Sequence, residues 1–212
     1  MMKKRAFFIT LLGLCIFSGC TVLSFYPLFT ENELVKNDQL LGKWQSINGD
    51  TVIWEISFKD SIWMEKMNSP FDLGSKEIPN RFTYTLNLYL KGAPEEAKAE
   101  FHVHLVKLGD QTFLDFYPVN WAMQNTILAF HLMRVHTFSK VEFHENGMEI
   151  KWFDSEWLEG LFANNRVRIR HENNGANILL TAKPEELQKF ILKYGNDKNA
   201  YSEDLTYNLS RY

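Results

Sequence analysis

The sequence predicts a mainly β fold: an antiparallel barrel of about eight to ten strands with two peripheral helices. Three observations carry this. Apolar and polar residues alternate at period two through much of the chain after Leu41, the mark of strands with one buried and one wet face. Turn pairs punctuate the alternation at Asn48-Gly49, Gly109-Asp110, Asn146-Gly147 and Asn174-Gly175. Two late stretches switch to helical spacing. Many short antiparallel strands favour closure, because a barrel leaves no strand edge exposed.

Ahead of these elements, Lys3, Lys4 and Arg5 precede an apolar run from Ala6 to Phe17. That run is shorter than the roughly 20 residues a helix needs to span a bilayer. It has the length of a secretory h-region, followed by the small residues Ser18 and Gly19. Phe17-Ser18-Gly19-Cys20 resembles the bacterial lipobox, with phenylalanine where leucine is usual. The resemblance implies a signal peptide over 1–19, a diacylglyceryl group on Cys20 and an address in the cell envelope, lipid-anchored on the extracytoplasmic side of a membrane. Cleavage would remove Cys15 with the leader, so Cys20 would be the sole cysteine and no intrachain disulfide could form. Loss of Lys3, Lys4 and Arg5 takes the formal charge from −3 to −6. That balance argues against nucleic acid as a partner. Residues 20–38 form the lipidated tether, yet Phe25, Tyr26, Leu28 and Phe29 are too apolar to hang in water. Thr30-Glu31-Asn32-Glu33 has the spacing of a capping box and predicts one short helical turn.

Residues 39–212 read as a single barrel domain. Val52, Trp54, Ile56 and Phe58 alternate with polar neighbours except at Ile53; Phe82, Tyr84, Leu86, Leu88 and Leu90 share one face in the same way, and then Phe101, Val103 and Leu105. Leu132–Phe143 alternates poorly, which predicts a bulge. Further strands are expected over Met148–Phe153, Arg166–His171 and Asn177–Thr181. Between them Asp154 can cap a helix whose stripe is Trp157, Leu158, Leu161 and Phe162. A second, C-terminal helix starts at Pro184 and carries Leu187, Phe190, Ile191 and Tyr194 on one face, ending at Gly195.

Leu41-Gly42-Lys43-Trp44 resembles the Gly-x-Trp start of lipocalin-like, calycin-type barrels. The resemblance implies that Trp44 closes one end of the barrel under an arginine from a late strand, for which Arg166, Arg168 and Arg170 are the candidates. The Thr-Asp-Tyr-type motif of the lipocalins proper is absent. Phe113-Leu114-Asp115-Phe116, His131–Val141, the Trp157 helix and Ile178–Tyr201 together are similar to a group of bacterial envelope lipoproteins, a likeness that implies no activity.

The chemistry-bearing residues are few. His102 and His104 sit two apart on one strand face and are weak metal candidates, with His131, His136 and His144 nearby in sequence. Their alternation with core residues fits a polar wall equally well, and no metal or other cofactor is expected. Asp115 and Glu149 are possible acid–base groups. No nucleophile elbow or phosphate loop occurs. Six Trp, eight Tyr and seventeen Phe are enough either to fill a small barrel or to line an apolar pocket. Trp121, Met123, Ile127 and Phe130 lie in a long stretch without period two and form a candidate lid over the barrel mouth. The expected function is therefore non-enzymatic: binding of a small apolar ligand or an envelope protein through the barrel. The alternatives are a hydrolase or isomerase with a carboxylate site, and a structural subunit of an envelope complex.

Overall fold

A computed structural model describes residues 21–47, 49, 51–64, 76–119, 132–174 and 178–212. The strands in chain order are β1 (Leu23–Ser24), β2 (Gly42–Ser46), β3 (Val52–Phe58), β4 (Ser61–Met64), β5 (Lys76–Pro79), β6 (Thr83–Leu90), β7 (Ala99–Leu108), β8 (Gln111–Pro118), β9 (His136–His144), β10 (Gly147–Phe153), β11 (His171–Asn173), β12 (Ile178–Leu180) and β13 (Tyr201–Arg211). Two helices, α1 (Ser155–Ala163) and α2 (Pro184–Tyr194), interrupt the late strands. The protein is mainly β. Strands β2-β3-β6-β7-β8-β9-β10-β13 pair antiparallel in that order, and β13 returns to β2 to close an eight-stranded barrel. Three short strands, β1, β12 and β11, extend from the upper part of β9, and β4 with β5 makes a separate ribbon.

The barrel has two unlike ends. The lower end holds the start of β2, the β7–β8 and β9–β10 turns and the end of β13. The upper end holds the β2–β3 and β6–β7 turns, and there β8 leaves the barrel and β9 enters it. Inside, Trp44, Trp54, Ile56, Tyr84, Leu86 and Leu105 belong to one continuous buried cluster.

A second core lies outside the barrel wall. Val106 and Leu108 of β7, Phe113 of β8, Phe138 of β9 and Phe153 of β10 turn outward and are covered by Leu158 and Leu161 of α1 and by Leu187, Phe190, Ile191 and Tyr194 of α2. Both helix stripes are those the spacing predicts. Asp154 Oδ1 accepts the backbone N–H groups of Glu156 and Trp157 at 2.7 and 3.2 Å and so starts α1. Pro184 stands in the first turn of α2. Gly195 ends α2 in a right-handed conformation; a Cβ there would collide with Gln111 Oε1 and the Ile191 carbonyl, so close packing, not backbone freedom, demands the glycine.

Three expectations need correction. The stretch 166–170 is not a strand; only His171–Asn173 pairs, with β12. The bulge expected over 132–143 is absent from β9, which pairs regularly with β8 and β10; the register shift lies between β10 and β13, at Lys151/Phe153. The last element is the strand β13 and not the C-terminal helix, because the alternation of Leu205, Tyr207 and Leu209 continues after α2. The apolar tether does pack on the domain. After the predicted capping box at Thr30 and Glu33, Leu34 bridges to Val106, and the Val35 N–H donates to the Leu105 carbonyl at 3.0 Å.

Candidate functional site

The lower end is sealed by residues that satisfy one another. A short 3-10 helix, Asp38–Leu40, places the fully buried Leu40 against the barrel, and Trp44 Nε1 donates to the Leu40 carbonyl at 3.0 Å. The arginine over the Trp44 ring is Arg211 of β13, its guanidinium carbon 3.9 Å from the ring centroid. Arg166, Arg168 and Arg170 do not supply it: they lie between α1 and β11, where Arg170 pairs with Glu186 at 3.0 Å. Arg211 also donates to the Leu41 carbonyl, and to that of Gln39 at 3.0 Å. A planar cation that stacks and donates at once is what arginine provides and lysine does not. Gly42 makes room for it. Its φ is +122°, and a Cβ there would occupy the position of Arg211 Nη1. The glycine and tryptophan of Gly42-Lys43-Trp44 thus serve one contact.

Towards the upper end the wall changes character. The Trp54 ring lies 6.4 Å from Phe116, 5.9 Å from Trp152 and 5.6 Å from Tyr207, and Phe116 stacks on Trp152 at 5.2 Å. Val52, Leu88, Phe101, Trp152 and Tyr207 of this wall are only partly buried. Two polar groups sit among them. Trp54 Nε1 and Ser139 Oγ are buried and have no hydrogen-bond partner among the described residues. Ser139 faces inward because it pairs in register with Leu114 and Trp152, both of the inner cluster.

Around the upper end stand exposed apolar side chains: Ile47 in the β2–β3 turn, Leu90 at the end of β6, and Leu132 and Met133 ahead of β9. The candidate lid, with Trp121, Met123, Ile127 and Phe130, belongs to the connection that leaves β8 and enters β9 at this end; it lies outside the described residues, as does Cys20. Thr21 bridges to Asp154, just past the upper end of β10.

A polar cluster occupies the outer wall. Thr83, His104 and Asp115 share one row across β6, β7 and β8. Burial drives the His104 imidazole down to about 3 and also lowers His102, so both rings are neutral at physiological pH. His104 Nε2 is engaged with Thr83 Oγ1 at 2.9 Å, and the Phe29 ring packs 4.3 Å away. His136 Nδ1 meets Asp115 Oδ1 at 2.7 Å, and Asp115 Oδ2 accepts the Leu28 N–H at 2.8 Å. Asp115 is entirely buried, and the His136 ring lies tilted against Tyr117 at 4.7 Å. This pair fastens the segment leading to β2 against the wall. The two carboxylates named from the sequence do not converge: Asp115 is sealed beneath Leu28, whereas Glu149 pairs with Lys151 at 2.6 Å on the outside of β10. Among the described residues no three of His, Cys, Asp and Glu gather as a metal-ligand set, His102 and His104 included.

Reading the sequence alone missed Arg211, Ser139 and the pairing of Asp115 with His136. Period two places Trp54 inward with Ile56, but nothing in a sequence reports that an indole N–H lacks an acceptor. No family model, curated protein or solved structure matches this chain.

Proposed function

We propose that the protein is a lipid-anchored component of a bacterial envelope whose barrel holds a small, mainly apolar ligand near its upper end. The supporting observation is the contrast between the ends. The lower end is plugged by Leu40, Trp44 and Arg211, while the wall towards the upper end is aromatic, partly buried and bordered by Ile47, Leu90, Leu132 and Met133. Concave apolar walls with few polar groups are the usual lining of small-molecule sites. The segment Trp121–Phe130 acts as the lid at that mouth, and acylated Cys20 holds the same end towards the membrane, since Thr21 lies at the upper end of β10. Among the described residues no helix is long and apolar enough to cross a membrane.

Two measurements test this. Radiolabelled palmitate should mark the wild type and not Cys20→Ser; equal labelling removes the anchor. Titration of the full-length chain with a panel of lipids should show saturable binding at one site, lost in Trp152→Ala. Thermal unfolding should report stabilisation of roughly 3 kcal/mol at a hundredfold excess over Kd. No saturable binding and no thermal shift across the panel sinks the carrier reading. The exposed apolar residues at the rim then favour the second reading, a protein partner docked there.

A further inference from the structure

Among the described residues, the aromatic wall towards the upper end carries two buried polar atoms without a hydrogen-bond partner. Trp54 is 4% exposed and Ser139 0%, and neither Trp54 Nε1 nor Ser139 Oγ meets a partner among the described residues. Trp152 connects them, being the cross-strand neighbour of Ser139 and lying 5.9 Å, ring to ring, from Trp54. Their other inward neighbours are Leu88, Leu114, Phe116 and Tyr207. These side chains are apolar apart from the Tyr207 phenol.

An indole N–H only donates, and a serine hydroxyl can donate or accept. Leaving such groups buried and unpaired is costly, so natural structures rarely do it without a reason. Two such groups on one aromatic wall mark the place where a bound molecule would present an acceptor. The type of acceptor follows from the surroundings. A carboxylate brought into this wall would shed its hydration with no cation among these side chains to receive it, whereas a carbonyl or ether oxygen loses far less on leaving water.

We infer that the barrel interior selects an apolar molecule bearing an uncharged hydrogen-bond acceptor, an ester, amide or ketone carbonyl or an ether oxygen, held by Trp54 Nε1 and Ser139 Oγ. This rests on the ligand-binding reading above and narrows it to a chemical class. Ionised fatty acids are disfavoured, although they are the usual first probe for an apolar barrel.

The test uses a matched pair of probes, a pyrene-labelled fatty acid and its methyl ester, at a pH where the acid is ionised. Energy transfer from the barrel tryptophans to pyrene reports occupancy in the full-length chain. The ester is expected to bind more than about tenfold tighter than the acid, from the cost of burying an unpaired charge. Trp54→Phe keeps an aromatic ring and removes the N–H; Ser139→Ala removes the hydroxyl with little change of volume. Each should weaken ester binding by about threefold to tenfold, the worth of one neutral hydrogen bond, with near-ultraviolet circular dichroism confirming an intact core. Acid binding equal to or tighter than ester binding overturns the class while leaving the carrier reading standing. Ester binding unchanged in both variants overturns the role of the two donors. If neither probe nor any lipid of the wider panel binds, the carrier reading and this inference fall together.

Discussion

Trp44 and Trp54 face each other across β2 and β3, and the two indoles are almost equally buried, at 3% and 4% exposure. Their polar atoms meet opposite fates. Trp44 donates to Leu40 and is capped by Arg211; Trp54 finds no acceptor among the described residues. Burial alone therefore does not distinguish the two indoles; what differs between them is whether the polar atom has a partner. A fully paired indole has been placed to close the fold, while an unpaired one stores a free energy that a ligand can release.

The largest effect that tests this contrast is truncation at the sealed end. Trp44→Ala should cost about 3–5 kcal/mol, as loss of a large buried aromatic does, measured as a lowered urea midpoint with unchanged slope. Trp54→Phe should change stability by no more than about 1 kcal/mol, because the lost ring volume is offset by removal of an unpaired donor. Comparable losses at the two positions would erase the distinction between the ends.

The comparison has to be made where the outer wall is not titrating, and this sets a pH window. His104 has its folded-state pKa lowered to about 3 by burial, against roughly 6.5 in an unfolded chain. The unfolded state therefore binds the proton first. The stability contributed by the neutral ring is fully present above pH 6.5 and is lost as pH falls from there towards 3. The slope approaches about 1.4 kcal/mol per pH unit, so lowering pH from 6.5 to 5 should cost roughly 1–2 kcal/mol. His104→Gln should flatten that part of the profile, and an unchanged slope in the variant would assign the acid sensitivity to other groups.

Arg211→Lys probes the cap itself at a smaller scale. Lysine keeps the charge but cannot stack as a plane while donating to both Leu41 and Gln39. A loss of about 1 kcal/mol is expected, since the side chain is solvent-exposed and cation–π contacts at such sites are weak. No loss would mean that Leu40 and Trp44 hold the end closed without it.

How far the sequence foretold this depends on how many faces of a strand are buried. Where the inner face is the more covered one, as in β3 apart from the buried Ile53, period two shows directly and Trp54 and Ile56 are found. Where both faces are covered the pattern collapses. Phe113, Leu114, Asp115 and Phe116 are all buried, two facing inward and two outward under the second core or the N-terminal segment. In β9, Phe138 faces the outer core and Ser139 the interior, so the alternation runs opposite to the simple rule, and the poor period there reports two-sided burial and not a bulge. Helix stripes were legible for the converse reason, since each helix has one buried face. The closure arginine was not, because Arg166, Arg168 and Arg170 also follow a period of two. Only the return of β13 to β2 decides which arginine reaches Trp44. Unpaired polar atoms such as Trp54 Nε1 are a property of assembled neighbours and have no sequence signal.

The smallest expected effect is also the most discriminating, because its sign carries the meaning. Ser139 and Ser24 are both wholly buried, but Ser24 Oγ donates to the Tyr26 carbonyl at 2.7 Å whereas Ser139 Oγ has no partner among the described residues. The same substitution should therefore act in opposite directions. Ser24→Ala removes a made hydrogen bond and leaves the Tyr26 carbonyl without its donor, a loss of about 1 kcal/mol. Ser139→Ala removes a hydroxyl whose burial was uncompensated, and should raise the stability of the ligand-free protein by up to about 1 kcal/mol. Parallel urea titrations of the two variants at pH 7 would resolve that difference. A destabilising Ser139→Ala would mean that the hydroxyl is satisfied in solution, and the upper end would then be as settled a piece of structure as the lower one. A gain in stability joined to a loss of ester affinity would mark Ser139 as a residue kept for binding at the expense of the fold.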